Sequence, residues 1–189
     1  MHEGRAMISR LLRRGVAPLV ITIGVLMAAT TSHAHLMVEQ HGTVNVANGG
    51  AFLVLSVPVS TFDGVDDDGD DALSAQELSR HISKVEQQIH DGVQLLDDSG
   101  KSLPLQGLLM SLSPSDDAQT APAKQLIALG RFPIDDPMSS LSLRIALHGE
   151  TSDEQYISIT ATRDGQSHEM TFTPERDYHT MFPKKEFAE

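Results

Sequence analysis

Residues 66–77 read DDDGDDALSAQE, five aspartates and one glutamate in a run of twelve. Counted from Asp66, carboxylates fall at the first, third and fifth places (Asp66, Asp68, Asp70) and again at the twelfth (Glu77), with Ala72 seventh and Ser74 ninth. This is the ligand spacing of an EF-hand loop. The chemistry is that of a hard cation: Ca2+ takes about six to eight oxygens, and short acidic side chains at alternate positions of a curled chain converge on one point. In this assignment Asp66, Asp68 and Asp70 supply carboxylates, Ala72 its backbone carbonyl, Ser74 its hydroxyl or a bridged water, and Glu77 closes the site with both oxygens. Asp67 and Asp71 point elsewhere and deepen the negative field. Leu73 holds the apolar position that packs such a loop, Phe62 precedes it at helical spacing, and Ser74-Ala75-Gln76-Glu77 is a capping box. One place departs from the pattern: the sixth residue, where the chain turns with positive φ and Gly is usual, is Asp71. Asp tolerates that region at about 1 kcal/mol, so weakened binding is expected rather than abolished binding. A lone loop without a second hand reads as a structural staple rather than a sensor.

A second chemistry rests on histidine and methionine. Cleavage of an N-terminal segment after Ala34 would leave His35 as a first residue whose α-amine and ring nitrogen chelate copper or nickel, with His41 as a further nitrogen. His-x-Met occurs at His35/Met37, His168/Met170 and His179/Met181, and a thioether beside imidazole suits Cu(I). Core packing competes with this for Met170. Motifs for catalysis are missing: there is no nucleophile elbow, no phosphate-cradling glycine loop and no His-Glu-x-x-His. A non-enzymatic protein is the expectation.

The elements that position these residues follow from patterning. Four arginines, the apolar run GVAPLVITIGVLMAAT and Ser32-His33-Ala34 make residues 1–34 a secretory signal peptide. Removing them takes away four of 14 basic residues and one of 26 acidic ones, leaving a net charge of −15 on residues 35–189. That excludes nucleic acid as a partner and favours divalent cations. With no cysteine, the chain has neither a disulfide framework nor a lipid attachment site. A periplasmic or secreted protein is expected, with no membrane span after cleavage. Its core must come from aliphatic residues, since aromatics make up 4% of the chain and Trp is missing.

Val44 and Val46 alternate with polar residues, and Phe52–Val57 is a continuous apolar run expected to be buried on both faces. Asn48-Gly49-Gly50 turns between them. Leu78, Ile82, Val85 and Ile89 form one stripe on a helix stopped by Gly92. Strands are expected at Val93–Asp97, Lys101–Leu105 (extended by Leu108–Leu112), Gln125–Phe132, Leu141–Leu147, Tyr156–Arg163 and Gln166–Thr173, with an irregular tail from Pro174. Asp164-Gly165 joins the last pair in a two-residue hairpin that sets Ala161 opposite His168, Ile159 opposite Met170 and Ile157 opposite Phe172. The predicted fold is mainly β: an antiparallel immunoglobulin-like sandwich, one domain over 35–189, with the EF-hand-like loop and helix at 62–91 inserted after the second strand.

Over residues 62–78 the chain resembles the EF-hand superfamily. A wider resemblance runs from HAHLMVEQHGTVNV through LSVPVSTFDGVDDDGDDALSAQELSRHI to the GRF of a later strand. It is similar to the extracytoplasmic domain found with HupE/UreJ-type membrane proteins, hydrogenase and urease accessory proteins linked to nickel or cobalt handling. In that pattern a strand, a Pro-containing turn and one EF-hand-like loop precede a helix and further strands. The transmembrane helices of those proteins are not found in this sequence, so the resemblance implies a free-standing domain with a HupE/UreJ-type membrane protein as partner.

Overall fold

A computed structural model describes residues 40–113, 122–135 and 140–182. The expected signal peptide, His35, Met37 and most of the polar segment 114–123 lie outside them. All described residues belong to one unit, Met37–Glu189.

Alternation of apolar and polar residues makes the first strands: β1 (Gln40–Ala47) and β2 (Gly50–Pro58) pair antiparallel across Asn48 and Gly49, both at positive φ. Pro58 ends β2, and a single 3-10 turn at Val59–Thr61 leads into the acidic loop. The helix α1 (Ala75–Gly92) follows, then β3 (Val93–Leu96), β4 (Ser102–Leu103), β5 (Gln106–Ser113), β6 (Gln125–Pro133), β7 (Ser142–Ile145), β8 (Ile157–Arg163), β9 (Gln166–Phe172) and β10 (Tyr178–Thr180). Six strands form one sheet in the order β5-β6-β2-β1-β8-β9, and four form another in the order β10-β7-β3-β4. The inward residues of both sheets, among them Leu53, Leu55, Leu126, Phe132, Ile157 and Phe172 from the first and Leu95, Leu143 and Ile145 from the second, join Val85 and Ile89 of α1 in one buried cluster. This is a mainly β, sandwich-like arrangement with one helix. Among the described residues no helix is long and apolar enough to cross a membrane.

The β8–β9 hairpin has the expected register, with Ala161, Ile159 and Ile157 opposite His168, Met170 and Phe172. Leu141, Leu143, Ile145 and Leu147 are all buried, as their shared face requires. Other expectations are corrected. Pairing is not wholly antiparallel: β1 runs parallel to β8, a contact across the sheet that no local pattern encodes. Leu108–Leu112 does not extend the strand before it. Pro104 interrupts the backbone donors, so the short β4 stays in the four-stranded sheet while β5 crosses to the edge of the other. Phe52 and Val54 are 40% and 41% exposed, on the face turned away from the buried cluster, where the Arg131 guanidinium lies 5.8 Å from the centroid of the Phe52 ring. The tail beyond Pro174 is not irregular throughout, since β10 pairs with β7. Gly92 ends α1 without a left-handed cap. The chain passes straight into extended Val93, and a Cβ at Gly92 would collide with the side chain of Leu147.

Candidate metal centre

The acidic loop is pinned at both ends before its charges are considered. Phe62 and Val65 enter the core on one side and Leu73 on the other, each at most 4% exposed. Leu73 also makes a two-bond antiparallel bridge with Ala123, N–H to O distances 2.8 and 2.9 Å, just ahead of β6. Between these anchors the chain curls by repeated positive φ, at Gly64 (59°), Gly69 (75°) and Asp71 (59°). Asp71 therefore adopts the conformation foreseen for the sixth place. Side-chain acceptors hold the curl: Asp66 Oδ1 accepts from the Gly69 N–H at 2.7 Å, Asp66 Oδ2 from the Asp71 N–H at 3.0 Å, and Asp70 Oδ1 from the Ala72 N–H at 3.0 Å.

The result brings a carboxylate oxygen of each of Asp66, Asp68 and Asp70 within 4.8 Å of the others. Among the described residues this is the one group of three or more His, Asp or Glu side chains that close. Repulsion shows in Asp68, whose pKa is raised chiefly by the charge of Asp70, then by partial desolvation and by Glu77 and Asp66, against a lowering hydrogen bond from the backbone of Asp70. A cation placed among the three would remove that penalty.

Ser74 and Glu77 occupy the start of α1 as a reciprocal capping box. The Glu77 N–H donates to Ser74 Oγ at 3.2 Å, while Glu77 Oε2 accepts from the Ser74 N–H at 2.9 Å and from its hydroxyl at 2.7 Å. Glu77 Oε1 accepts from the Asp67 N–H at 3.0 Å. Glu77 is buried, yet these donors, first the Ser74 backbone and then its hydroxyl, hold its carboxyl below the ordinary range against the desolvation that would raise it. It lies outside the group of three. Closing an ion cage from the twelfth place would require Glu77 to exchange part of this cap for the ion. Ala72 is buried, with its N–H turned to Asp70.

Sequence reasoning missed a clasp between loop and helix. Arg80 and His81 both engage Asp67, His81 Nε2 lying 2.9 Å from Oδ1. Lys84 Nζ donates to the Gly64 carbonyl at 3.1 Å, and Gln88 Oε1 accepts from the Asp63 N–H at 2.9 Å. Arg80, Lys84 and Gln88 recur every four residues, so three successive turns of one helix edge strap the antiparallel segment 63–67. Long polar side chains at that spacing were the available signal. Asp67 is thus neutralised by the helix and does not join the cage. Asp71 instead lines, with Asp63, Asp66 and Glu150, a cleft of about 170 Å³ beside it.

Of the histidine and methionine candidates, His41, His168, Met170, His179 and Met181 lie among the described residues. His41 is exposed on β1, and His168 lies opposite Ala161 near the β8–β9 turn. His179 donates its Nε2–H to the Thr171 carbonyl at 2.8 Å and stands edge-on to Phe172, and burial lowers its pKa. Met170 and Met181 are buried core residues. The chain matches no family model and no curated protein.

Proposed function

We propose that this chain is a secreted or periplasmic, non-enzymatic calcium-binding module: an immunoglobulin-like sandwich whose single EF-hand-like loop is stapled by Ca2+ between strand and helix. It serves as an accessory or binding domain for a membrane or periplasmic partner, a HupE/UreJ-type membrane protein being the class its sequence resembles. The observation that carries the reading is the convergence of Asp66, Asp68 and Asp70 within 4.8 Å, on a loop already curled by positive φ at Gly69 and Asp71. Asp66, Asp68 and Asp70 would hold the ion with the Ala72 carbonyl, Ser74 and Glu77. Bound calcium supplies fixed positive charge where three carboxylates repel one another. The chain's own part is to hold those oxygens together through Leu73, the capping box and the α1 clasp. Thermal melting during a calcium titration tests this. Stabilisation by millimolar calcium that is lost in Glu77→Gln is the expected result. No stabilisation, with the variant behaving like the unaltered protein, overturns it.

A further inference from the structure

We propose that the groove between α1 and the free edge of β5 docks an extended, basic-flanked segment of a partner protein, which adds to the sheet as a further strand. β5 is the outermost strand of the six-stranded sheet, and among the described residues no strand lies on its far side. Its row of backbone N–H and C=O groups is therefore a template for pairing. Outer strands are usually protected by charge or proline. β9, at the opposite edge, carries Glu169, but the eight residues of β5, QGLLMSLS, carry neither. The pairing is irregular between Gln106 and Leu109, where Gly107 takes positive φ, so among the described residues the unguarded stretch of this edge is Leu109–Ser113.

Both faces beside that edge are prepared for side chains. On one, a groove of about 520 Å³ separates the strand from the helix, lined by Ala75, Leu78, Ser79 and Ile82 of α1 and by Met110, Ser111 and Leu112 of β5. Ile82 belongs to the apolar stripe of α1 yet is 37% exposed there, while Val85 and Ile89 of the same stripe are fully buried. On the other face Leu109 is 68% exposed beside Leu129, its partner on β6. An added strand would send alternate side chains into the groove and the rest onto the Leu109 face. This is the division of labour in strand addition, where the backbone gives affinity and pockets for every second residue give specificity.

The chemistry of the occupant follows. Free peptide groups ask for an extended backbone rather than a helix or a lipid surface. The groove lining holds no charged residue, so the paired stretch is uncharged and apolar at alternate places. The formal net charge of −12 on the chain favours basic flanks on either side of that stretch. A second copy of this chain fits poorly, because it brings the same formal charge of −12.

The test uses the whole protein and a labelled synthetic peptide of alternating valine and threonine with two lysines at each end, followed by fluorescence anisotropy. Saturable binding is expected. It should weaken at least about tenfold for Ile82→Lys, for the exposed Ser79→Arg, and for a peptide with proline at its centre. Circular dichroism melts confirm that the variants are folded. No binding at millimolar peptide overturns the proposal, as does equal affinity for the proline peptide, which would mean charge attraction alone. Sedimentation showing a dimer that Ser79→Arg breaks and the peptide does not displace would assign the groove to a second copy, and overturn it equally.

Discussion

Replacing Asp68 with Asn separates the electrostatic cost of the acidic cage from its use. Asn keeps a side-chain oxygen for the backbone of Asp70 and removes the charge that Asp70, Glu77 and Asp66 repel. A carboxyl whose pKa is raised by folding binds its proton more tightly in the native state, so its ionised form opposes folding at neutral pH. Without calcium, Asp68→Asn should therefore melt above the unaltered protein. With calcium the order reverses. For a site with a Kd of about 10⁻⁴ M, in the range of extracellular modules, 10 mM calcium is about 100 Kd and stabilises by about 2.7 kcal/mol. At this chain length that corresponds to about 5–10 °C in melting temperature. The unaltered protein should gain it and the variant should lose most of it, so the two melting temperatures cross between chelator and calcium. Melting at pH 7 in EDTA, in 10 mM CaCl2 and in 10 mM MgCl2 measures this, the magnesium arm accounting for screening by a divalent ion. A variant that melts lower in EDTA, or that gains as much from calcium as the unaltered protein, would refute the reasoning.

Ser74→Ala removes the side chain that accepts from the Glu77 N–H and donates to its carboxylate, and should cost about 1 kcal/mol in urea unfolding without calcium and more with it, since the ion also loses a ligand. Asp71→Gly should raise stability by up to about 1 kcal/mol, because φ is already 59° there and Gly relieves the strain. That strain is present before any ion arrives, so, contrary to the weakened binding expected from the sequence, calorimetric calcium affinity should change by less than about threefold (about 0.65 kcal/mol). Glu77, whose pKa is lowered in the fold, contributes stability that is complete above its unfolded pKa and lost as pH falls through the lower folded value. Urea midpoints followed downward from pH 7 should fall less steeply for Glu77→Gln than for the unaltered protein across that acid range.

The parts of this molecule readable in advance are those whose information is local. The β8–β9 register follows from Asp164-Gly165, where both residues take positive φ. The capping box needs only Ser74 and Glu77, and the convergence of Asp66, Asp68 and Asp70 needs only alternate spacing in a curled loop. What could not be read depends on residues far apart in sequence. The parallel pairing of β1 with β8 sets Val44 beside Ala161, and nothing near either residue specifies it. The outward face of Phe52 and Val54 depends on which elements cover a sheet, and a continuous apolar run does not distinguish one buried face from two. Ile82 follows the same helical period as Val85, yet it stands at the rim of α1, where the stripe leaves the core for the groove beside β5. At the candidate site the spacing named the acidic ligands and set Asp67 aside, but only the fold shows that Arg80 and His81 take it.

The Leu73–Ala123 bridge joins residues fifty positions apart and closes a circuit from the acidic loop to the start of β6. Such a closure carries a large chain-entropy cost, and contacts of this separation tend to form late in folding. The unfolded chain can bring aspartates near one another locally, but it lacks the rigid eighth position that keeps the loop curled. Calcium would then act on the finished molecule more than on the folding transition state. It would slow unfolding and leave the folding rate nearly unchanged, making the ion a source of lifetime rather than of speed.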